Sequence, residues 1–187
     1  MRKKRYFQSL YKFEVEHNKY LIEVSLDDYN DIYDDWDPTP FKRRDIEDEF
    51  NDFILNSSED IPLNYNISIV LYIPGAKRDQ RKETVLKSAY SNYYEYATAR
   101  LRKVISILHR RTILYILFSA VLLSISYFLG GTRPSLFLNV LHEGIFIGGW
   151  VFLWEFFTNF FIKGRELQEE YRLYDRLYHA EIRFVYH

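Results

Sequence analysis

The chain contains no cysteine. This excludes a disulfide framework, cysteine-ligated zinc and thiol catalysis, and it fits a reducing compartment. The signatures of common chemistry are missing too. The five histidines, His17, His109, His142, His179 and His187, give no HxxxH or HExxH spacing for zinc. No GxxxxGK[ST] or GxGxxG loop is present to cradle phosphate, and no GxSxG elbow presents a serine. The expectation is therefore a non-enzyme without a cofactor. Helix breakers are scarce as well: neither glycine nor proline occurs between Asp79 and Leu129. The start, MRKKRYFQSLYKFEVEH, lacks the apolar stretch of about 7 to 15 residues that a secretory signal needs, so the N-terminus is expected to stay where it is made.

Two apolar segments stand out. Thr112 to Leu129 carries no charge over 18 residues, close to the roughly 20 needed to cross a hydrocarbon core. Gly144 to Ile162 is one residue longer and holds one charged residue, Glu155. Both read as transmembrane helices, joined by an extracytoplasmic loop at 130–143. The mean hydropathy of −0.30 averages these with a very polar first half. The formal net charge is only −1, but the signs are segregated. Arg100, Arg102, Lys103, Arg110 and Arg111 precede the first span, and Lys163, Arg165, Arg172 and Arg176 follow the second, whereas the loop offers only Arg133. The excess of Lys and Arg on one side predicts a multi-pass protein of the plasma (inner) membrane with both termini cytoplasmic.

Residues 1–78 read as the N-terminal part of a small α/β head. The runs around His17-Asn18-Lys19 suggest a hairpin with a three-residue turn. Asp27, Asp28, Asp31, Asp34, Asp35 and Asp37 then fall within 11 residues. Carboxylates so spaced are weak candidates for a Ca²⁺ or Mg²⁺ site, but no register supplies the glycine and glutamate of an EF-hand, and a solvated acidic loop is the favoured reading. Asp45 reads as an N-cap for a helix burying Ile46, Phe50, Phe53 and Ile54 and stopping at Asn56-Ser57-Ser58. Asn66 to Pro74 is the clearest strand, a β-branched run expected to be buried on both faces.

From Asp79, Leu86, Tyr90, Tyr93, Ala97, Leu101, Val104 and Leu108 form one stripe at steps of 4, 3, 4, 4, 3 and 4. This predicts a stalk helix over 79–111 running into the first span. Leu167, Tyr171, Tyr174 and Tyr178 repeat the pattern over 163–179, so the two stripes are expected to pair as an antiparallel stalk. The alternating AEIRFVYH at 180–187 predicts a final strand joining the head. The fold class is thus α+β: a transmembrane two-helix hairpin, a cytoplasmic helical stalk and a head of three to four strands built from both chain ends.

In the second span, about 100° per residue places Gly144, Gly148, Val151, Glu155, Thr158 and Asn159 on one face. Intramembrane polar groups usually face the bundle interior, and small residues permit close helix approach. Tyr115 and Ser119 are the expected intrachain partners of Glu155. Burying one central charge costs roughly 2.5 to 3.5 kcal/mol on the insertion scale, whereas Leu, Ile, Val and Phe each contribute about 0.3 to 0.6. Eleven such residues line this span. Glu155 either holds helices in register or lines a proton or cation route in an oligomer, and the structural role is preferred.

The stretches GGWVFLWE, DWDPTPFKRRDI and AEIRFVY resemble an uncharacterised family of small bacterial two-span membrane proteins. The resemblance covers most of the chain and implies location and architecture but no activity. The expected partners are the lipid bilayer, further copies of the chain, and a cytoplasmic protein binding the head; nucleic acid is not expected. The leading functional expectation is a membrane-tethered assembly or interaction module, and the alternative is an oligomeric ion- or proton-conducting effector using Glu155.

Overall fold

The computed structural model describes residues 6–33, 46–130 and 135–187. In chain order the elements are α1 (Phe7–Leu10), β1 (Lys12–Glu14), β2 (Lys19–Ser25), a 3-10 turn (Tyr29–Ile32), α2 (Asp48–Asp60), β3 (Asn66–Ile73), a second 3-10 turn (Gly75–Lys77) and α3 (Gln80–Leu129). After these come α4 (Leu136–Phe157), a π-helical segment (Thr158–Lys163), α5 (Gly164–Tyr178) and β4 (Glu181–Tyr186). The chain divides into two compact units, one drawn from Met1–Arg100 and Glu170–His187, the other from Leu101–Glu169.

The first unit holds a four-stranded sheet in the order β1-β2-β3-β4, with β1 antiparallel to β2 and the remaining pairs parallel. Alternation along the strands assigns its two faces. Tyr20, Ile22 and Val24 of β2 lie level with Ile67, Ile69 and Leu71 of β3, and Ile182 and Phe184 of β4 continue that face. These side chains form one core with Ile54, Leu86, Tyr90, Tyr94 and Leu177 from α2, α3 and α5 and with Ile61 just after α2. The opposite face carries charges that satisfy one another. Lys12 meets Glu23 at 2.8 Å and Lys19 meets Glu181 at 3.0 Å, while Arg183 holds both oxygens of Glu14 at 2.7 and 3.0 Å.

Most expected elements of this unit are present, with shifted boundaries. The β1–β2 turn spans Val15 to Asn18, because Lys19 is already paired with Glu14. Asn18 takes the left-handed conformation at φ 51°, which asparagine tolerates better than most residues. The expected N-cap Asp45 lies outside the described residues. Helix α2 starts at Asp48 and continues past Asn56-Ser57-Ser58 to Asp60. The serine stop fails because Ser57 and Ser58 are buried, and Ser58 Oγ accepts from Arg176 Nη2 at 2.8 Å. What ends the helix is Pro62, which restricts Ile61 to extended backbone at φ −91° and ψ 122°. Phe53, expected inside, is 49% exposed at the edge of the face that buries Phe50 and Ile54. On the part of α3 that belongs to the first unit the buried residues are Leu86, Ala89, Tyr90, Tyr94 and Thr98, so the inward line passes through Tyr94 and Thr98, with Tyr93 and Ala97 only half-buried.

Two helices are long and apolar enough to cross a membrane, by length and composition, and their apolar stretches make up the second unit: Gln80–Leu129, and the run Leu136–Tyr178 formed by α4, the π segment and α5. Helix α4 begins at Leu136, inside the region expected to be loop, because LFLNVLHE contains no breaker. Only 17% and 6% of the apolar stretches are buried, unlike the core helices of a water-soluble protein.

Candidate functional site

The helices of the second unit meet along a seam that is small and polar on one side. On α3, Thr112, Ser119 and Ser126 are buried, while the apolar Ile113, Leu117, Phe118 and Val121 between them are exposed. A spacing of seven residues keeps side chains on one line of a helix pair. Short hydroxyl side chains let the backbones approach, and each hydroxyl needs an acceptor. Thr112 donates to the Leu108 carbonyl of its own helix at 2.8 Å. Ser119 reaches across to the Gly149 carbonyl at 2.9 Å.

Gly149 is what this approach demands. A Cβ there would lie 2.8 Å from Leu123 Cγ and Cδ2 and 3.2 Å from the Leu123 backbone nitrogen. Tyr115 stacks obliquely on Phe152, ring centres 5.9 Å apart. Gly164 continues the line, its Cβ position 4.0 Å from Leu108 Cδ2.

The π segment carries the second helix's inward line from Asn159 to Gly164. Steps of four and three from Ile145 run through Gly149, Phe152, Phe156 and Asn159, and the next α-helical step would present Lys163. Instead the Gly164 amide donates to the Asn159 carbonyl, five residues back. The extra residue turns Lys163 outward and brings Gly164 in.

The residues expected to share one polar face are thereby divided. Asn159 lies in the closed seam and is 4% exposed. Ser119 donates to the Gly149 carbonyl, and Tyr115, whose ring packs on Phe152, makes no bond to Glu155, so neither is its observed partner. Gly144, Gly148, Val151 and Glu155 lie about 90° round the helix from the seam. A Cβ at Gly144 would meet nothing within 4 Å, and one at Gly148 would touch only Leu122 at 3.7 Å. Val151 is 56% exposed. Glu155 is half-buried, and its carboxyl makes no hydrogen bond or ion pair among the described residues.

The acidic stretch has a different use. Asp31 accepts from the amides of Asp27 and Asp28, both at 2.8 Å, and Asp28 accepts from the Asn30 amide at 3.1 Å, a reciprocal cap on the first 3-10 turn. Asp28 also meets Lys77 at 3.1 Å and Lys82 at 3.8 Å. The Lys77 bond, aided by the Asn30 amide, holds its carboxyl below the ordinary range. Asp34, Asp35 and Asp37 lie outside the described residues, and among those described no three His, Asp or Glu side chains gather as metal donors.

A cleft of about 550 Å³ in the first unit is lined by Lys19, Asn66, Arg172, Asp175, Arg176 and His179, with Leu63 and Ile67. Much of its charge is already engaged: Lys19 with Glu181, and His179 with the Asp175 carbonyl at 2.8 Å. Arg176 donates to the carbonyls of Ser58, Ile61 and Pro62 at the end of α2, where a cation offsets the helix dipole. Desolvation there pulls its guanidinium down to about 10.

Sequence reasoning passed over Gly149 and the π segment. The seven-residue recurrence of Thr112, Ser119 and Ser126 was the available signal for the seam. No protein-family model, curated protein or solved structure matches the chain.

Proposed function

We propose that the chain is a non-enzymatic, membrane-tethered assembly module. Two spans would anchor it in the plasma membrane, and the sheet-bearing unit would be presented to the cytoplasm for a protein partner. The observation that carries this reading is the outward exposure of Ile113, Leu117, Val121, Ile147, Trp150, Trp154, Phe160 and Phe161 along two long apolar helices, a surface suited to lipid and unsuited to water. The Lys and Arg flanking both apolar segments favour cytoplasmic termini. Self-association would use the face bearing Gly144, Gly148 and Glu155, which the chain leaves open at Gly144 and only half covers at Gly148 and Glu155.

The absence of cysteine makes topology directly testable. In intact cells, a membrane-impermeant maleimide should label Ser135→Cys and leave Ser9→Cys unmodified until the membrane is opened. The opposite pattern, or release of the protein by carbonate washing, refutes the reading. Native mass measurement in mild detergent should give an oligomer that Gly148→Leu reduces to smaller species; a monomeric parent chain removes the assembly role.

A further inference from the structure

Glu155 sets a chemical requirement that the single chain does not meet. It is a half-buried carboxyl in the otherwise apolar stretch 144–157 of α4, with no hydrogen-bond or ion-pair partner among the described residues. In hydrocarbon such a group needs a partner, because no water is available to satisfy it. The buried hydroxyls of α3 on either side of its level are already donated, Thr112 to the Leu108 carbonyl and Ser119 to the Gly149 carbonyl. Neighbours at steps of four, three and four, Gly144, Gly148 and Val151, place Glu155 on a narrow open strip separate from the seam with α3. Those steps are the repeat of a left-handed helix pair.

We infer that a second copy of this chain covers the strip, α4 against α4 in parallel about a two-fold axis, with the two Glu155 carboxyls hydrogen-bonded to each other across it. This rests on the assembly reading above and narrows it to a pair. The occupant follows from the chemistry. A protonated carboxyl both donates and accepts, so it is complementary to its own copy, and a two-fold axis brings identical residues to the same level. One ionisable group in the apolar stretch of each copy, on a strip one residue wide, suits a two-helix contact and does not suit a water-filled lumen.

In the cysteine-free background, Val151→Cys should form an intermolecular disulfide under mild oxidation, and Phe157→Cys, which lies off the strip, should not. Glu155→Gln keeps a donor and an acceptor and should retain the dimer within about threefold of the parent affinity, whereas Glu155→Leu should weaken it about tenfold. Undiminished association of Glu155→Leu, with the Val151→Cys cross-link intact, overturns the carboxyl pairing while leaving the assembly reading standing. A tetramer or larger ring overturns the two-fold. A monomeric parent chain with no cross-link at either position fails the assembly reading itself.

Discussion

Two glycines five residues apart on one helix have opposite surroundings, and only one of them is required by the packing within the chain. At Gly149 a methyl group would strike both the side chain and the backbone of Leu123, and a backbone nitrogen cannot move aside as a flexible side-chain end can. Gly149→Ala should therefore cost about 1 to 3 kcal/mol, as overpacking typically does. It should also strain the Ser119 bond to the Gly149 carbonyl. Gly144→Ala meets no atom of the chain itself and, in the Gly148→Leu background where the outer face is unpartnered, should leave the thermal midpoint in detergent unchanged. Equal midpoints for the two variants in that background would mean that the seam is not formed as described. The sequence offered Gly144-x-x-x-Gly148 as the obvious close-approach motif, yet the contact falls on the next residue. A one-residue offset on a helix is about 100°, and the sequence of α4, apolar on nearly every side, has no amphipathic pattern to say which direction faces α3.

Elements with a strong local period were the legible ones. Strand β3 and the long α3 appear where alternation, β-branching and the lack of breakers placed them, and β4 follows its alternation of Ile182, Phe184 and Tyr186. Less legible were features decided by distant partners. Pro62 fixes where α2 stops, but the passage through the serines rests on Arg176, more than a hundred residues later, which donates to the Ser58 and Ile61 carbonyls at that end. The π segment is a clearer case, because nothing in TNFFIK announces it. It makes an unusual deletion tolerable. Removing exposed Phe160 lets the segment close as α-helix while Asn159 and Gly164 both stay in the seam, so the midpoint should move by only about 2 °C. Deleting Val151 rotates everything after it by roughly 100° and should be severely destabilising. Similar losses for the two deletions would contradict the single-residue insertion.

At the scale of the molecule, the charged face of the sheet sets the response to acid. Bonds from Arg183 and Lys19 hold the Glu181 carboxyl at about 2, and the Arg183 bond also lowers Glu14. These groups bind protons more weakly when folded than when unfolded. Their stabilisation is therefore complete above the unfolded range near pH 4.5 and is lost as the pH falls from there toward 2. Glu181 is half exposed, so solvent screening limits its share to about 1 kcal/mol. Thermal midpoints recorded over this interval should fall, and Glu181→Gln should flatten the decline; an unchanged slope would remove the Arg183 lattice from the account.

The strand order also constrains the timetable of synthesis. Strand β3 is flanked by β2, made before it, and by β4, made only after α3, α4 and α5. At about 5 to 20 residues per second, roughly 5 to 20 s separate the two strands. During that interval one edge of β3 has no ladder partner, and the core lacks Leu177 and Ile182. The sheet is thus a late product of translation, closing only once both apolar helices have left the ribosome, and a chain stalled between them would carry an open, aggregation-prone strand edge.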